Sequence, residues 1–128
     1  MFKEIKSGKD IKEFLDTTNS LHDGYIIGVQ YENNGISATE YAHYFDSEKT
    51  GLMLRILVTS IRDAVVEIEF EDILEWQIKD NQCEITDTSV IISDQRYIIW
   101  SDDVFSSTAE LDKGSFVIAK AMKWRIAG

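Results

Sequence analysis

The chain has no proline and only one cysteine, Cys83, among its 128 residues. A single cysteine excludes a disulfide within the chain. Without proline, the edges of any β-sheet have to be protected by charged side chains. No apolar run approaches the roughly 20 residues of a membrane span, and the first few residues lack the apolar core of a signal peptide. We therefore expect a cytoplasmic protein with no membrane segment.

Basic residues are scarce as well: 13 lysines and arginines stand against 23 aspartates and glutamates, which gives a net charge of −10. A nucleic-acid-binding protein needs a positive surface, so this charge argues against that class. It is compatible with a basic protein partner, with cation binding or simply with solubility. The sequence has no phosphate-binding loop, no dinucleotide fingerprint and no Gly-x-Ser-x-Gly elbow. We expect no catalytic residues and no cofactor, and a monomer or weak homodimer.

The hydrophobic pattern near the N-terminus has helical spacing. Ile11, Phe14 and Leu15 fall at positions i, i+3 and i+4, which predicts a helix over residues 9–17. Ser7 precedes this stretch as a possible N-cap, with Asp10 three residues later as in a capping box. From residue 21 onward the period changes to two, which indicates strands.

The remaining pattern predicts about eight strands separated by short turns. They cover residues 25–31, 36–44, 52–61, 64–71, 75–79, 89–92, 97–100 and 115–127. In the first strand, one face would carry Tyr25, Ile27, Val29 and Tyr31. The last segment also contains helix-favouring residues, but its ends favour a strand. The sequence thus predicts a single domain, residues 1–128, that is mainly β (α+β): an N-terminal helix followed by an antiparallel β-sandwich or open barrel of about eight strands.

A comb of carboxylates occupies the middle of the chain, where residues 65–71 read Val-Val-Glu-Ile-Glu-Phe-Glu. On a strand, alternate side chains share a face, so the glutamates form a row with a spacing of about 7 Å. That spacing is inside the Debye length of about 8 Å at physiological salt, and the row repels itself. The candidate partner-binding residues are Glu67, Glu69, Glu71, Asp72 and Glu75.

Two interpretations of this comb remain open. It is a solvated strand face that protects a sheet edge, or it meets a cationic partner. The charges are unevenly distributed along the chain: residues 62–88 carry nine acids and two bases, whereas residues 113–128 carry only bases. We expect the basic tail to return beside the acidic middle and to pair some of these charges across the sheet.

A second constellation is formed by the two histidines and neighbouring acids. The candidate metal ligands are His22, Asp23, His43 and Asp46, which are of the types that bind zinc or iron. However, adjacent residues on a strand point to opposite faces, which works against His22 and Asp23 binding together. The alternative is that His22-Asp23-Gly24 shapes the entrance to a strand, with glycine supplying an unusual φ.

Aromatic residues are concentrated in the irregular stretch 36–46. The candidate aromatic patch is formed by Tyr41, Tyr44 and Phe45. Exposed aromatic residues of this kind anchor protein partners. Burial in the core is the commoner fate of such side chains.

Two segments give the chain a resemblance to known proteins. Leu21-His22-Asp23-Gly24-Tyr25-Ile26 resembles the strand opener of small uncharacterised bacterial proteins, and residues 118–125, Ile-Ala-Lys-Ala-Met-Lys-Trp-Arg, are similar to their closing strand. Some small acidic proteins with segments of this kind resemble immunity proteins, which neutralise a toxin by binding it. The resemblance implies a bacterial, cytosolic, single-domain β-rich protein and supplies no catalytic residues.

Three functions follow from these patterns. The first is an acidic, immunity-like binding module that holds a basic protein through the carboxylate comb. The second is a metal-binding domain or metal-dependent enzyme built on the two histidines. The third is an accessory domain whose acidic face only keeps the protein soluble. The sequence does not separate the first from the third.

Overall fold

A computed structural model of the chain describes residues 1–33, 37–38, 43–44, 50–79, 84–103, 111 and 114–127, with the backbone alone at residues 37–38 and 43–44. Within these residues one α-helix, α1, spans Gly8–Thr18. The strands are β1 (Lys3–Glu4), β2 (Gly24–Asn33), β3 (Ser37–Ala38), β4 (His43–Tyr44), β5 (Thr50–Val58), β6 (Ala64–Gln77), β7 (Ser89–Ile92), β8 (Ile98–Ser101) and β9 (Phe116–Ala127).

The main sheet has seven strands, all paired antiparallel. Its order is β2-β5-β6-β9-β8-β7, and β1 pairs with β9. Strand β9 contacts β6 along its length, while its other side pairs with β8 near the start and with β1 near the end. The mainly β, antiparallel fold with an N-terminal helix is therefore confirmed.

The helix forms where the sequence predicts it. Ser7 is its N-cap, and the Ser7 hydroxyl accepts a hydrogen bond from the Asp10 N–H at 3.3 Å. Asn19 ends the helix in the left-handed conformation, where its N–H reaches the last carbonyl groups. Asparagine tolerates this conformation better than most residues. The observed helix exceeds the predicted one by one residue at each end.

The core lies on one face of the sheet, hereafter the inner face. From α1, Phe14 packs edge-on against the ring of Trp124, with 5.3 Å between ring centroids. Alternate residues of the central strands are fully buried on this face: Leu52, Leu54, Ile56, Val58, Val66, Ile68 and Phe70. The opposite, outer face carries a smaller buried cluster near the start of β9, formed by Ile99, Leu111 and Phe116.

Strand β2 corrects one prediction. Tyr25 pairs with Leu57, whereas Val29 pairs with Leu54, and the register shifts between Ile26 and Gly28. This β-bulge inserts one residue and reverses the faces that follow. Tyr25 and Val29 therefore lie on opposite faces, not on the shared face that simple alternation predicts.

Other strands differ in extent from the prediction. The predicted strands 64–71 and 75–79 are one continuous strand, β6, which keeps its pairing through a positive φ of 59° at Asp72 and a bulge between Ile73 and Glu75. The predicted strand 36–44 is not one strand, because its described residues form β3 and β4, which pair with each other. The hairpin β7–β8 and the strand interpretation of residues 115–127 are confirmed.

Candidate functional site: the carboxylate comb on the outer face

The comb lies on β6, and β6 is a central strand. It pairs with β5 on one side and with β9 on the other. The comb therefore does not protect a sheet edge, which corrects that interpretation. Instead, Glu67, Glu69 and Glu71 each lie opposite a residue of β5 and a residue of β9 on the outer face of the sheet.

Glu67 is enclosed between two arginines. The register places Arg55 of β5 and Arg125 of β9 directly opposite it. Arg125 Nε donates a hydrogen bond to Glu67 Oε1 at 2.8 Å, and Arg55 Nε lies 3.7 Å from Oε2. Glu67 is only 9% exposed. A carboxylate this buried requires such partners, so Glu67 serves the sheet itself.

Glu69 and Glu71 share one lysine. Lys123 Nζ lies 3.2 Å from Glu69 Oε2 and 3.4 Å from Glu71 Oε1. The hydrogen bond to Glu69, followed by the negative charge of that residue, raises the pKa of Lys123. The Phe2 ring lies against Lys123 and Arg125: Lys123 Nζ is 5.4 Å and Arg125 Cζ is 4.4 Å from its centroid. The expected return of the basic tail to the acidic middle is thus present in the fold.

The rest of the comb is less regular. The side chain of Glu71 is 56% exposed, compared with 30% for Glu69. Asp72 occupies the left-handed conformation, and Glu75 follows the bulge and is exposed. The five acids therefore do not form one continuous row, because two irregularities separate Glu75 from the first three.

A shallow depression of about 270 Å³ opens beside Glu69 and Glu71. Gly51 lies opposite both Glu32 of β2 and Glu71 of β6, so no side chain fills the space between these two glutamates. Met53 and Gln30 form another part of the wall. Gln30 Nε2 donates a hydrogen bond to Glu32 Oε1 at 2.7 Å. We call this feature the acidic depression. The sequence did not identify Glu32, because its approach to the comb depends on the order of the strands.

The His22-Asp23 pair lies at the entrance to β2, where three segments meet. His22 Nδ1 lies 2.8 Å from the carbonyl oxygen of Thr86, and its Nε2 lies 3.5 Å from Asp23 Oδ1. The Ser60 hydroxyl donates to the His22 carbonyl. The hydrogen bond to Thr86 and then the charge of Asp23 raise the pKa of His22. The two side chains do approach each other, which simple strand alternation did not predict.

The unusual backbone in this motif is at the aspartate. Asp23 has a φ of 60°, and no positive φ is found at Gly24. Gly24 is required for a different reason: an added Cβ would lie 2.6 Å from the Leu21 carbonyl oxygen.

The described residues contain no group of three His, Cys, Asp or Glu side chains that fits a metal ion. The side chain of His43 and all of Asp46 lie outside them, so the four-residue metal site stays a prediction.

The predicted aromatic patch also lies outside the described side chains, at Tyr41, Tyr44 and Phe45. A different aromatic pair is exposed. Tyr31 of β2 stacks on Trp76 of β6, with ring centroids 5.4 Å apart and an interplanar angle of 23°. The two residues are 38% and 37% exposed. Simple alternation along the strands predicts both rings on apolar strand faces. It does not predict the bulges that precede Tyr31 in β2 and Trp76 in β6.

Within the described residues, no helix is long and apolar enough to span a membrane. No protein-family model, no curated protein and no solved structure matches the chain.

Proposed function

We propose that this protein is a non-enzymatic binding module that holds a basic protein partner against the outer face of β2, β5 and β6. The observation that carries the proposal is the acidic depression. Glu32, Glu69 and Glu71 surround it, and among the described residues Lys123 alone provides a cation within 4 Å of any of these carboxylates. A lysine or arginine side chain from a partner fits the unfilled space above Gly51.

The depression narrows the earlier set of candidate residues. Glu67 already contacts two arginines, which neutralise its charge, so it contributes little attraction for a partner. Glu71 is the most exposed of the three row glutamates and lies at the rim of the depression. We therefore assign contact with the partner to Glu69, Glu71 and Glu32, and a supporting role in the sheet to Glu67.

The charge of the whole chain supports the same function. A net charge of −10 attracts a basic protein over several ångströms and accelerates its association. This long-range attraction weakens as salt shortens the Debye length.

The proposal includes the finer predictions made from the sequence: a cytoplasmic, bacterial, immunity-like protein, monomeric or weakly dimeric, whose sheet curls into an open barrel. The bridge between Gly24 and Ile85, which links β2 to the segment before β7, supports the curled sheet.

The test is a titration with a fluorescent octa-arginine peptide at about 20 mM and about 200 mM salt. We expect the double variant Glu32→Gln, Glu71→Gln to bind about tenfold more weakly at low salt, because two carboxylates that face the cation are neutralised. The matched control is Asp63→Asn, Asp94→Asn, which removes the same charge from two exposed turns. If both double variants lose affinity equally, net charge alone attracts the peptide and the depression is not the site. Absence of binding by the unmodified protein also contradicts the proposal.

A further inference from the structure

The outer edge of β2 between Tyr25 and Glu32 is the longest stretch of strand edge that the described part of the chain leaves unpaired. β2 has ten residues and pairs with β5 on one side. On its other side, the described residues provide one bridge, at its first residue: the Ile85 N–H donates to the Gly24 carbonyl at 2.7 Å, and the Asp23 N–H donates to the Ile85 carbonyl at 2.8 Å. An unpaired edge presents backbone N–H and C=O groups that pair readily with another strand.

The apolar side chains of this edge are exposed. Val29 is 42% and Tyr31 is 38% exposed, although both pair with buried leucines of β5 on the inner face. The Tyr31–Trp76 stack extends this surface onto β6, and we call these three residues the apolar strip. Strand edges are usually protected by charged residues, by proline or by a bulge. β2 has a bulge between Ile26 and Gly28, but the strand beyond it carries one charge, Glu32, and no lysine or proline. A strand with this composition is suited to being covered.

The charges around the edge select the kind of strand that covers it. Beyond the bulge, Gln30 and Glu32 point to the outer face, beside the acidic depression, while Val29 and Tyr31 point to the inner face. At the start of the strand, the Tyr25 hydroxyl donates to a further acid, Glu84, at 3.1 Å. A second copy of this chain would bring the same acids and another ten negative charges. A basic strand complements the surface instead.

We propose that an extended segment of the partner adds to the edge of β2 as an antiparallel strand in which apolar residues alternate with lysine or arginine. Alternate side chains of a strand point to opposite faces. The apolar residues would pack on the apolar strip, and the basic residues would lie next to Glu32 on the outer face. Backbone hydrogen bonds to β2 supply affinity, and the two kinds of side chain set specificity. The basic character of this strand rests on the proposed function; the open edge does not.

The probes are two acetylated octapeptides of identical composition. One alternates lysine and valine, and the other places four lysines before four valines. Hydrogen exchange of the full chain is measured with each. We expect the alternating peptide to slow exchange of backbone amides within residues 27–32 by about tenfold and the block peptide to leave them unchanged. Amides of the central strand β6 act as an internal control, because they are already paired on both sides.

Variants connect the protection to the apolar strip. Val29→Thr, Tyr31→Thr keeps residues that favour strands but reduces the apolar surface, so we expect about tenfold weaker binding of the alternating peptide. Ile91→Thr, which changes an exposed isoleucine on the opposite edge strand β7, is the matched control and should bind normally. Unchanged exchange in β6 shows that each variant is folded.

The outcomes distinguish this inference from the proposed function. If both peptides bind equally, and Glu32→Gln, Glu71→Gln weakens both without any protection of β2, the binding module stands and strand addition is wrong. If β2 amides are already protected in the free protein in a concentration-dependent way, a second copy covers the edge and the proposed basic strand is wrong. If neither peptide binds but octa-arginine does, strand addition is wrong and the binding module stands; if octa-arginine also fails to bind, both proposals are contradicted.

Discussion

Glu67 shows how one residue of a surface row becomes part of the structure. Its neighbours in the row, Glu69 and Glu71, have partly exposed side chains, whereas the side chain of Glu67 is 12% exposed and lies between Arg55 and Arg125. The strand register places one arginine on each side of Glu67, and both guanidinium groups contact its carboxylate. Replacing the carboxylate with an uncharged group removes the negative partner that both guanidinium groups share.

We predict that Glu67→Gln lowers the free energy of unfolding by about 1–3 kcal/mol. The value is below that of a fully buried ion pair, because the side chains of Arg55 and Arg125 are 51% and 41% exposed and the solvent screens them. Urea unfolding measures it. The control is Glu75→Gln, a substitution on an exposed part of the same strand, which should change stability by less than about 0.5 kcal/mol. Equal effects of the two substitutions would show that the arginines do not depend on Glu67.

Charge pairing at the residue scale was partly predictable. The excess of acids in residues 62–88 and of bases in residues 113–128 predicted that the two segments approach each other, and Arg125 and Lys123 do contact the comb. The sequence did not predict which glutamate is buried. That depends on Arg55, which lies opposite Glu67 because of the register between β5 and β6, and the sequence did not predict this register.

At the scale of an element, β2 and β6 deviate from simple alternation at points that the sequence marks only weakly. In β2 the register shifts next to Gly28, and glycine in a strand is compatible with a bulge. The same segment of sequence, Tyr-Ile-Ile-Gly-Val, also fits a regular strand. The sequence therefore predicted strands at the positions of β2 and β6, although it divided β6 into two, and the faces beyond each irregularity could not be assigned.

The two glycines of β2 provide an internal comparison. A Cβ added at Gly24 would lie 2.6 Å from the Leu21 carbonyl oxygen and 3.1 Å from Ile56 Cγ2, whereas one added at Gly28 would make an ordinary contact of 3.5 Å with Arg55. We predict that Gly24→Ala lowers the unfolding free energy by about 1–3 kcal/mol, because the neighbouring backbone has to move. Gly28→Ala should be neutral or stabilising by up to about 1 kcal/mol, because it reduces the entropy of the unfolded chain. Thermal or urea unfolding of both variants measures the difference, and a Gly24→Ala protein as stable as Gly28→Ala would show that the entrance to β2 is able to relax.

At the scale of the whole molecule, the strand order decides which surface is available. The final strand, β9, inserts between β6 and β8, so the chain's basic end neutralises the comb on one side only. On the other side, β5 contributes Gly51 and Met53 opposite Glu71 and Glu69 and leaves the acidic depression open. Local sequence patterns do not encode this order, which is why the comb was identified from the sequence and the depression was not.

The corner at His22 joins parts of the chain that are distant in sequence. Because a carbonyl oxygen can only accept, His22 Nδ1 carries the proton of the hydrogen bond to Thr86, and Nε2 faces Asp23. The hydrogen bond to Thr86 and then the charge of Asp23 raise the pKa of His22, burial lowers it, and the charges of Glu84 and Asp87 raise it by smaller amounts. Protonation of His22 therefore adds a positive charge that Asp23, Glu84 and Asp87 attract, at the contact between the start of β2 and the segment before β7.

This geometry predicts the direction of a pH effect on stability. The pKa of His22 is higher in the folded protein than the usual value of about 6.5, so the folded state binds the proton more tightly than the unfolded chain. The resulting stabilisation is complete below about pH 6.5 and is lost as the pH rises through the pKa of the folded state. We therefore expect the stability difference between the unmodified protein and His22→Asn to be larger at about pH 5.5 than at about pH 8.5. Urea unfolding at the two pH values measures this difference, in which the titration of all other groups cancels. Asparagine retains an N–H that can reach the Thr86 carbonyl, so a difference that does not change with pH would show that the charge of His22 contributes nothing to this corner.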